Sequence, residues 1–169
     1  MGFDLYGISP VIRKGKMPEA PEKLWDKSTT EKEREKYFDK KWDFEENNPG
    51  SYFRNNVWWW RALWDYTYNK CRDILTEDDW NSGHHNDAHE ISEEKAVLIG
   101  KRLNELIKSG KAQTYVEAYE EERKEAEEGN KGLKMNDEGY KWSASYPIEL
   151  DNIQSFATFC SESGGFKIC

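Results

Sequence analysis

Hydrophobic residues recur at helical spacing in four stretches of this chain and fall into short extended runs at its two ends. Between Val57 and Leu75, the residues Val57, Trp60, Trp64, Cys71, Ile74 and Leu75 share one side of a helix, and Asn55 or Asn56 is placed to cap its start. Ser92 precedes Glu93 and Glu94 and then the apolar series Ala96, Ile99, Leu103, Leu106 and Ile107, which predicts a capped helix ending at Gly110. A third helix is expected from about Gln113 to Glu128, with Tyr115, Val116, Ala118 and Tyr119 early and an acidic run before Gly129. In the fourth, Asp151 is the expected cap, Ile153, Phe156, Ala157 and Cys160 form the apolar side, and Gly164-Gly165 end it. GFDLYGIS at 2–9 and the closing Phe166–Cys169 read as strands able to pair. The predicted class is α+β and α-rich: one domain over 1–169, about four helices, and short terminal strands.

Two stretches break the pattern. From about 11 to 46 the chain is mixed in charge and framed by Pro10, Pro18, Pro21 and Pro49, with Trp25, Tyr37, Phe38 and Trp42 as anchors. A surface insertion with a helix near 29–41 is expected there; a solvated arm is the alternative. TEDDWNSGHHNDAHEI, at 76–91, reads as a polar loop hinged at Gly83.

Composition narrows the class. Hydrophobic residues are only 36% of the 169, but aromatics at 14% supply the missing bulk, since each buried ring removes about 150–250 Å² from water. A net charge of −8 disfavours a nucleic-acid polymer as partner, because phosphate backbones select clustered basic faces. No apolar run approaches the roughly 20 residues of a membrane helix, and the start MGFDLYGISP carries no basic or apolar leader. Cys71, Cys160 and Cys169 are odd in number and far apart, which suits reduced thiols in a cytoplasm.

The candidate chemistry begins at YFRNNVWWWRALWDYTY, residues 52–68, which holds four of the eight tryptophans. Adjacent helical residues stand about 100° apart, so Trp58 to Trp60 sweep far more of the helix than an ordinary apolar stripe covers. Three readings follow: a core helix in which Arg61 pairs with Asp65 at i,i+4, a ligand platform, or a protein-binding hot spot. In the platform, Trp58 and Trp59 stack a base, Arg54 and Arg61 hold phosphate in bidentate fashion, and Asn55 or Asn56 reads a base edge.

GHHNDAHE places His84, His85 and His89 within six residues, beside Asp87. These are ligand types for zinc or another divalent metal. His85 and His89 have the spacing of HExxH, but Asn86 stands where that motif needs its glutamate. A polar loop with Asx turns at Asn86 and Asp87 is the competing reading. No phosphate-cradling glycine motif and no GxSxG nucleophile elbow is present.

GFDLYG, YFRNNVWWWRALWDY, the GHHNDAHEIS loop and FATFCSESGGFKIC together resemble an uncharacterised family of small bacteriophage and bacterial proteins. Position by position the resemblance carries over to Asp4, Arg54, Asn55, Asn56, Trp58, Trp59, Trp60, Arg61, Asn86 and Asp87. The insertion at 11–46 departs from it. The resemblance implies a phage or bacterial origin and favours Asn86 and Asp87 over the histidines, but brings no activity. The resulting expectation is a phage-type accessory protein in the cytoplasm of a bacterial host. It binds a small nucleotide-like ligand without turnover and without a cofactor, and sequesters a host immune signal. A metal-dependent hydrolase and a module that binds a host protein are the alternatives, and a homo-oligomer is compatible with each.

Overall fold

The computed structural model describes residues 2–169. The chain ends meet: β1 (Gly2–Gly7) pairs antiparallel with β4 (Phe166–Ile168), Leu5 opposite Ile168. β2 (Tyr52–Asn56) flanks β1 on its other side, and β3 (His89–Ile91) flanks β4. The four-stranded sheet therefore runs β2-β1-β4-β3, antiparallel throughout. Phe3 and Leu5 of β1, with Phe166 and Ile168 of β4, are buried on one face. Asp4 stands on the outward face opposite Arg54, where the two side chains lie 3.5 Å apart.

Helices cover the buried face. They are α2 (Val57–Lys70), α4 (Glu93–Lys108) and α6 (Leu150–Glu162), which share one core with the sheet. α4 and α6 approach closely because Gly100 lacks a side chain: a Cβ there would lie 2.3 Å from Ser161 Oγ. α5 (Lys111–Gly129) extends from α4 through Gly110, whose φ of +74° favours glycine. A 3-10 turn at Trp142–Ser145 lies beside α5 and closes the long loop before α6. No described helix is long and apolar enough to cross a membrane.

The α+β class stands, but six α-helices are described and not four. α1 (Glu31–Asn47) runs further than the helix expected near 29–41, starting from a Thr30–Glu33 capping box. α3 (Glu77–Ser82) and β3 both arise within the stretch read as a polar loop. The signal for α3 was a Thr76–Asp79 capping box, where Thr76 Oγ1 accepts from the Asp79 N–H and the Asp79 carboxylate accepts from the Thr76 N–H. No apolar periodicity accompanies it. β2 also went unforeseen, because Arg54, Asn55 and Asn56 are poor strand formers and only pairing with β1 makes them extended. Asp151 lies in the first turn of α6; Glu149 holds the cap position, without a side-chain bond.

Candidate functional site

Helical geometry divides the tryptophan block among three environments. Trp60 and Trp64, one turn apart, stack with centroids 5.3 Å apart and are fully buried. Their indole N–H groups donate to the Gly83 carbonyl at 2.7 Å and the Trp80 carbonyl at 3.1 Å. Buried indoles need such acceptors, and here the α3 segment supplies both. These two rings are core.

Trp59 is half-buried and lines a shallow depression with Arg54, Asn55 and Asn56. Its other wall carries Glu149, Asp151 and Asn152. Most of the polar groups here serve the fold. Asn56 Oδ1 accepts from the Trp58 and Trp59 N–H groups at 3.0 and 3.1 Å, capping α2. Asn55 donates to Asn152 at 3.1 Å, and Arg54 faces Asp4. Two carboxylates in the wall oppose an anionic guest.

Arg61 opens elsewhere. It lines a cleft of about 420 Å³ with Asp65, His84, Tyr115, Tyr119 and Tyr146. The two arginines expected around one ligand thus stand in different depressions. Trp58 adjoins this second cleft, its ring 5.4 Å from that of Tyr146 and 37% exposed. Tyr115 and Tyr119, one turn apart on α5, stack with centroids 5.8 Å apart and present an aromatic wall. Arg61 Nη1 donates to the Tyr146 hydroxyl at 3.3 Å. Its Nε is shielded from solvent and has no partner, and Arg61 forms no ion pair among the described residues. The expected Arg61–Asp65 pairing is replaced: Asp65 Oδ1 accepts from Trp80 Nε1 at 2.7 Å and lies 3.2 Å from His84 Nε2.

His84 is boxed in by acceptors, with Nδ1 2.8 Å from the Trp80 carbonyl. Burial alone would push its imidazole down; the Asp65 hydrogen bond, the Trp80 carbonyl and the Asp65 charge outweigh that and hold it above its ordinary value. Asp65 moves the opposite way. Burial would raise it, but the hydrogen bonds from His84 and Trp80 and the charges of His84 and Arg61 keep it below the usual carboxylate range. Burial chiefly pushes Tyr119 up to about 12, and its hydroxyl donates to the Tyr146 carbonyl at 2.9 Å. The cleft therefore holds a cation with a free donor, a histidine hydrogen-bonded to Asp65 and stacked phenols.

The remaining histidines go separate ways. His85 is exposed, its Nδ1 2.9 Å from the Asn81 carbonyl. His89 Nε2 meets Asp79 Oδ1 at 3.1 Å, and Lys95 Nζ meets the other oxygen at 2.6 Å. Asn86 donates to the Gly2 carbonyl at 3.0 Å, and Asp87 is exposed beside Ala88, whose φ is +65°. Among the described residues no group of three His, Cys, Asp or Glu side chains is arranged to hold a metal ion. Tyr115, Tyr119 and Tyr146 were not singled out from the sequence as site residues. Arg61–Asp65 and Tyr115–Tyr119, two pairs each at i,i+4 on facing helices, were the available signal.

No family model matches this chain, and neither a curated protein nor a solved structure does. The resemblance to phage and bacterial proteins rests on its motifs alone.

Proposed function

We propose that this chain binds a small nucleotide-like ligand in the Arg61 cleft and does not turn it over. The observation that carries the reading is the unpartnered, shielded Arg61 Nε at the edge of a cleft walled by tyrosine rings. A buried donor left unmade costs about 1–3 kcal/mol, which a phosphate or carboxylate oxygen would recover through a charge-assisted bond. Stacked phenols and the half-exposed Trp58 offer ring faces to a base, each such contact contributing about 1–3 kcal/mol. A cleft of about 420 Å³ is within the usual size of small-molecule sites.

The acid–base groups of the cleft are already engaged within the fold, which disfavours turnover. His84 has acceptors at both ring nitrogens, so no lone pair is free to take a proton from a ligand. Asp65 is held ionised as a weak base, and the Tyr119 phenol is too weak an acid to donate usefully near neutral pH. The Asn55 and Asn56 side chains are occupied in the fold, so edge recognition falls to other groups. A phage origin, which the resemblance implies, gives such a binder a use: holding a host immune signal out of circulation.

Intrinsic fluorescence tests the reading. Titration with adenosine monophosphate or a cyclic nucleotide should change the tryptophan emission saturably, and Trp58→Phe should remove most of that change. No saturable response to any mononucleotide would contradict the proposal, and so would conversion of the nucleotide during incubation, read by chromatography.

A further inference from the structure

Asp65 is the one carboxylate among the residues that line the Arg61 cleft, and the fold uses only half of it. Oδ1 accepts from Trp80 Nε1 and faces His84 Nε2, which fills both lone pairs of that oxygen. No donor among the described residues reaches the other oxygen, and the side chain is 50% exposed. Arg61 and Asp65 stand one turn apart on α2, where Cβ atoms are about 5–6 Å from each other. They form no ion pair, because Trp80 and His84 hold Asp65 to one side.

A cleft that takes an anion alone gains nothing from this carboxylate. Its charge repels a phosphate. As an acceptor-only group it attracts a hydrogen-bond donor, and that donor has to lie close to whatever anionic group Arg61 holds. A 5′-mononucleotide carries donors at two distances from its phosphate. The sugar hydroxyls stand one ring away, and the exocyclic amine of the base stands a whole nucleoside away. The single helical turn between Arg61 and Asp65 matches the shorter distance.

We infer that Asp65 makes the cleft selective for ribonucleotides, its unengaged oxygen accepting from the sugar hydroxyls of a nucleotide whose phosphate lies on Arg61. This rests on the ligand reading of the Arg61 cleft and adds the sugar to it. One carboxylate oxygen has two lone pairs, enough for the vicinal 2′- and 3′-hydroxyls together. Because Asp65 stays ionised, each of these bonds is charge-assisted. A deoxyribose leaves one lone pair of the carboxylate without a partner, and a dideoxyribose leaves both. The 2′-hydroxyl thus separates ribose from deoxyribose here by hydrogen bonding, as it does at sites on RNA.

Titration calorimetry tests this with adenosine monophosphate, its 2′-deoxy and 2′,3′-dideoxy forms, and inosine monophosphate. In the wild type the dideoxy form should bind about tenfold or more weaker than the ribonucleotide, with the 2′-deoxy form in between. Inosine monophosphate, which lacks the exocyclic amine, should bind as adenosine monophosphate does. Asp65→Asn keeps an oxygen for Trp80 Nε1 but loses the charge. In that variant the preference for ribose should shrink to a few-fold, the size of a neutral hydrogen bond. If Asp65 serves only to brace Trp80 and His84, the variant weakens both sugars equally, and an unchanged preference overturns the inference. Equal affinity of the wild type for the ribose and dideoxy forms overturns it too, while leaving the Arg61 reading intact. Weaker binding of inosine monophosphate that Asp65→Asn abolishes gives the carboxylate to the base and also overturns it. Absence of binding by every nucleotide overturns both readings.

Discussion

Replacing Gly83 by alanine probes how the tryptophan core is held. Gly83 has φ −64° and ψ −12°, which any residue adopts, so its backbone imposes no need for glycine. In open surroundings the change would stabilise by about 0.4–1 kcal/mol, through the unfolded state. Here a Cβ would lie 2.1 Å from Trp64 Nε1 and 2.3 Å from Trp64 Cε2. Trp64 cannot yield: it is fully buried, stacked on Trp60 and hydrogen-bonded to the Trp80 carbonyl. The Gly83 carbonyl is itself the acceptor for Trp60. Any relief therefore moves two indoles and one or both of their hydrogen bonds. Overpacking of this kind costs about 1–3 kcal/mol, more than the entropic gain. For a chain of this size that lowers Tm by roughly 3–10 °C. Thermal melts followed by circular dichroism give the answer, with the near-ultraviolet signal of the indoles reporting the core directly. Gly129→Ala is the control, because a Cβ there meets nothing within 4 Å, and it should melt at or slightly above wild type. A Gly83→Ala protein as stable as wild type would refute the claim that Gly83 is kept bare by Trp64.

Asp79 is the next point of weakness. Burial would raise its carboxyl, but hydrogen bonds from Lys95, Thr76 and His89 outweigh that and bring it down to about 2. A depressed carboxylate stabilises the fold above its unfolded value near 3.8, and that contribution disappears as pH falls from about 4 to about 2. Asp79→Asn should therefore cost about 2 kcal/mol at neutral pH, measured by urea unfolding. The gap to wild type should close over that acid window; a gap independent of pH would exclude the ionic origin. Among the thiols, burial pushes Cys71 up to about 12 and Cys160 well above its ordinary value, while Cys169 is half-buried. A thiol reagent should label Cys169 first in the native protein and all three in denaturant; fast native labelling of Cys71 would contradict the packing.

The helices after Ser92 were legible because their apolar spacing, caps and terminal glycines agree with one another. The pairing of the chain ends was legible for a related reason, since both are short apolar runs bounded by glycine or proline. Legibility failed where tertiary pairing decides the outcome. Tyr52–Asn56 becomes a strand only because β1 lies beside it. Glu77–Ser82 becomes a helix because a capping box nucleates it and Trp80 packs against the core. The site was half legible. Helical arithmetic shows that three adjacent indoles cannot all face one core, and Trp58 does stand apart from Trp60 and Trp64. It does not show that Arg54 on β2 and Arg61 on α2 open into separate depressions, or that Tyr115 and Tyr119 arrive from another helix. The histidines looked clustered because sequence proximity is blind to direction. His84 turns to α2, His89 to Asp79 and His85 to solvent.

Titration calorimetry of the wild-type chain and of Arg61→Ala, with adenosine monophosphate and with adenosine, tests the central claim most directly. Binding through the shielded guanidinium predicts saturable binding of the monophosphate. Its affinity should fall roughly 10- to 150-fold in Arg61→Ala, the equivalent of a charge-assisted bond of about 1.5–3 kcal/mol. Adenosine should bind more weakly and lose little in the variant. Equal affinity of wild type and Arg61→Ala for the monophosphate, or no heat of binding from either protein, would contradict the account.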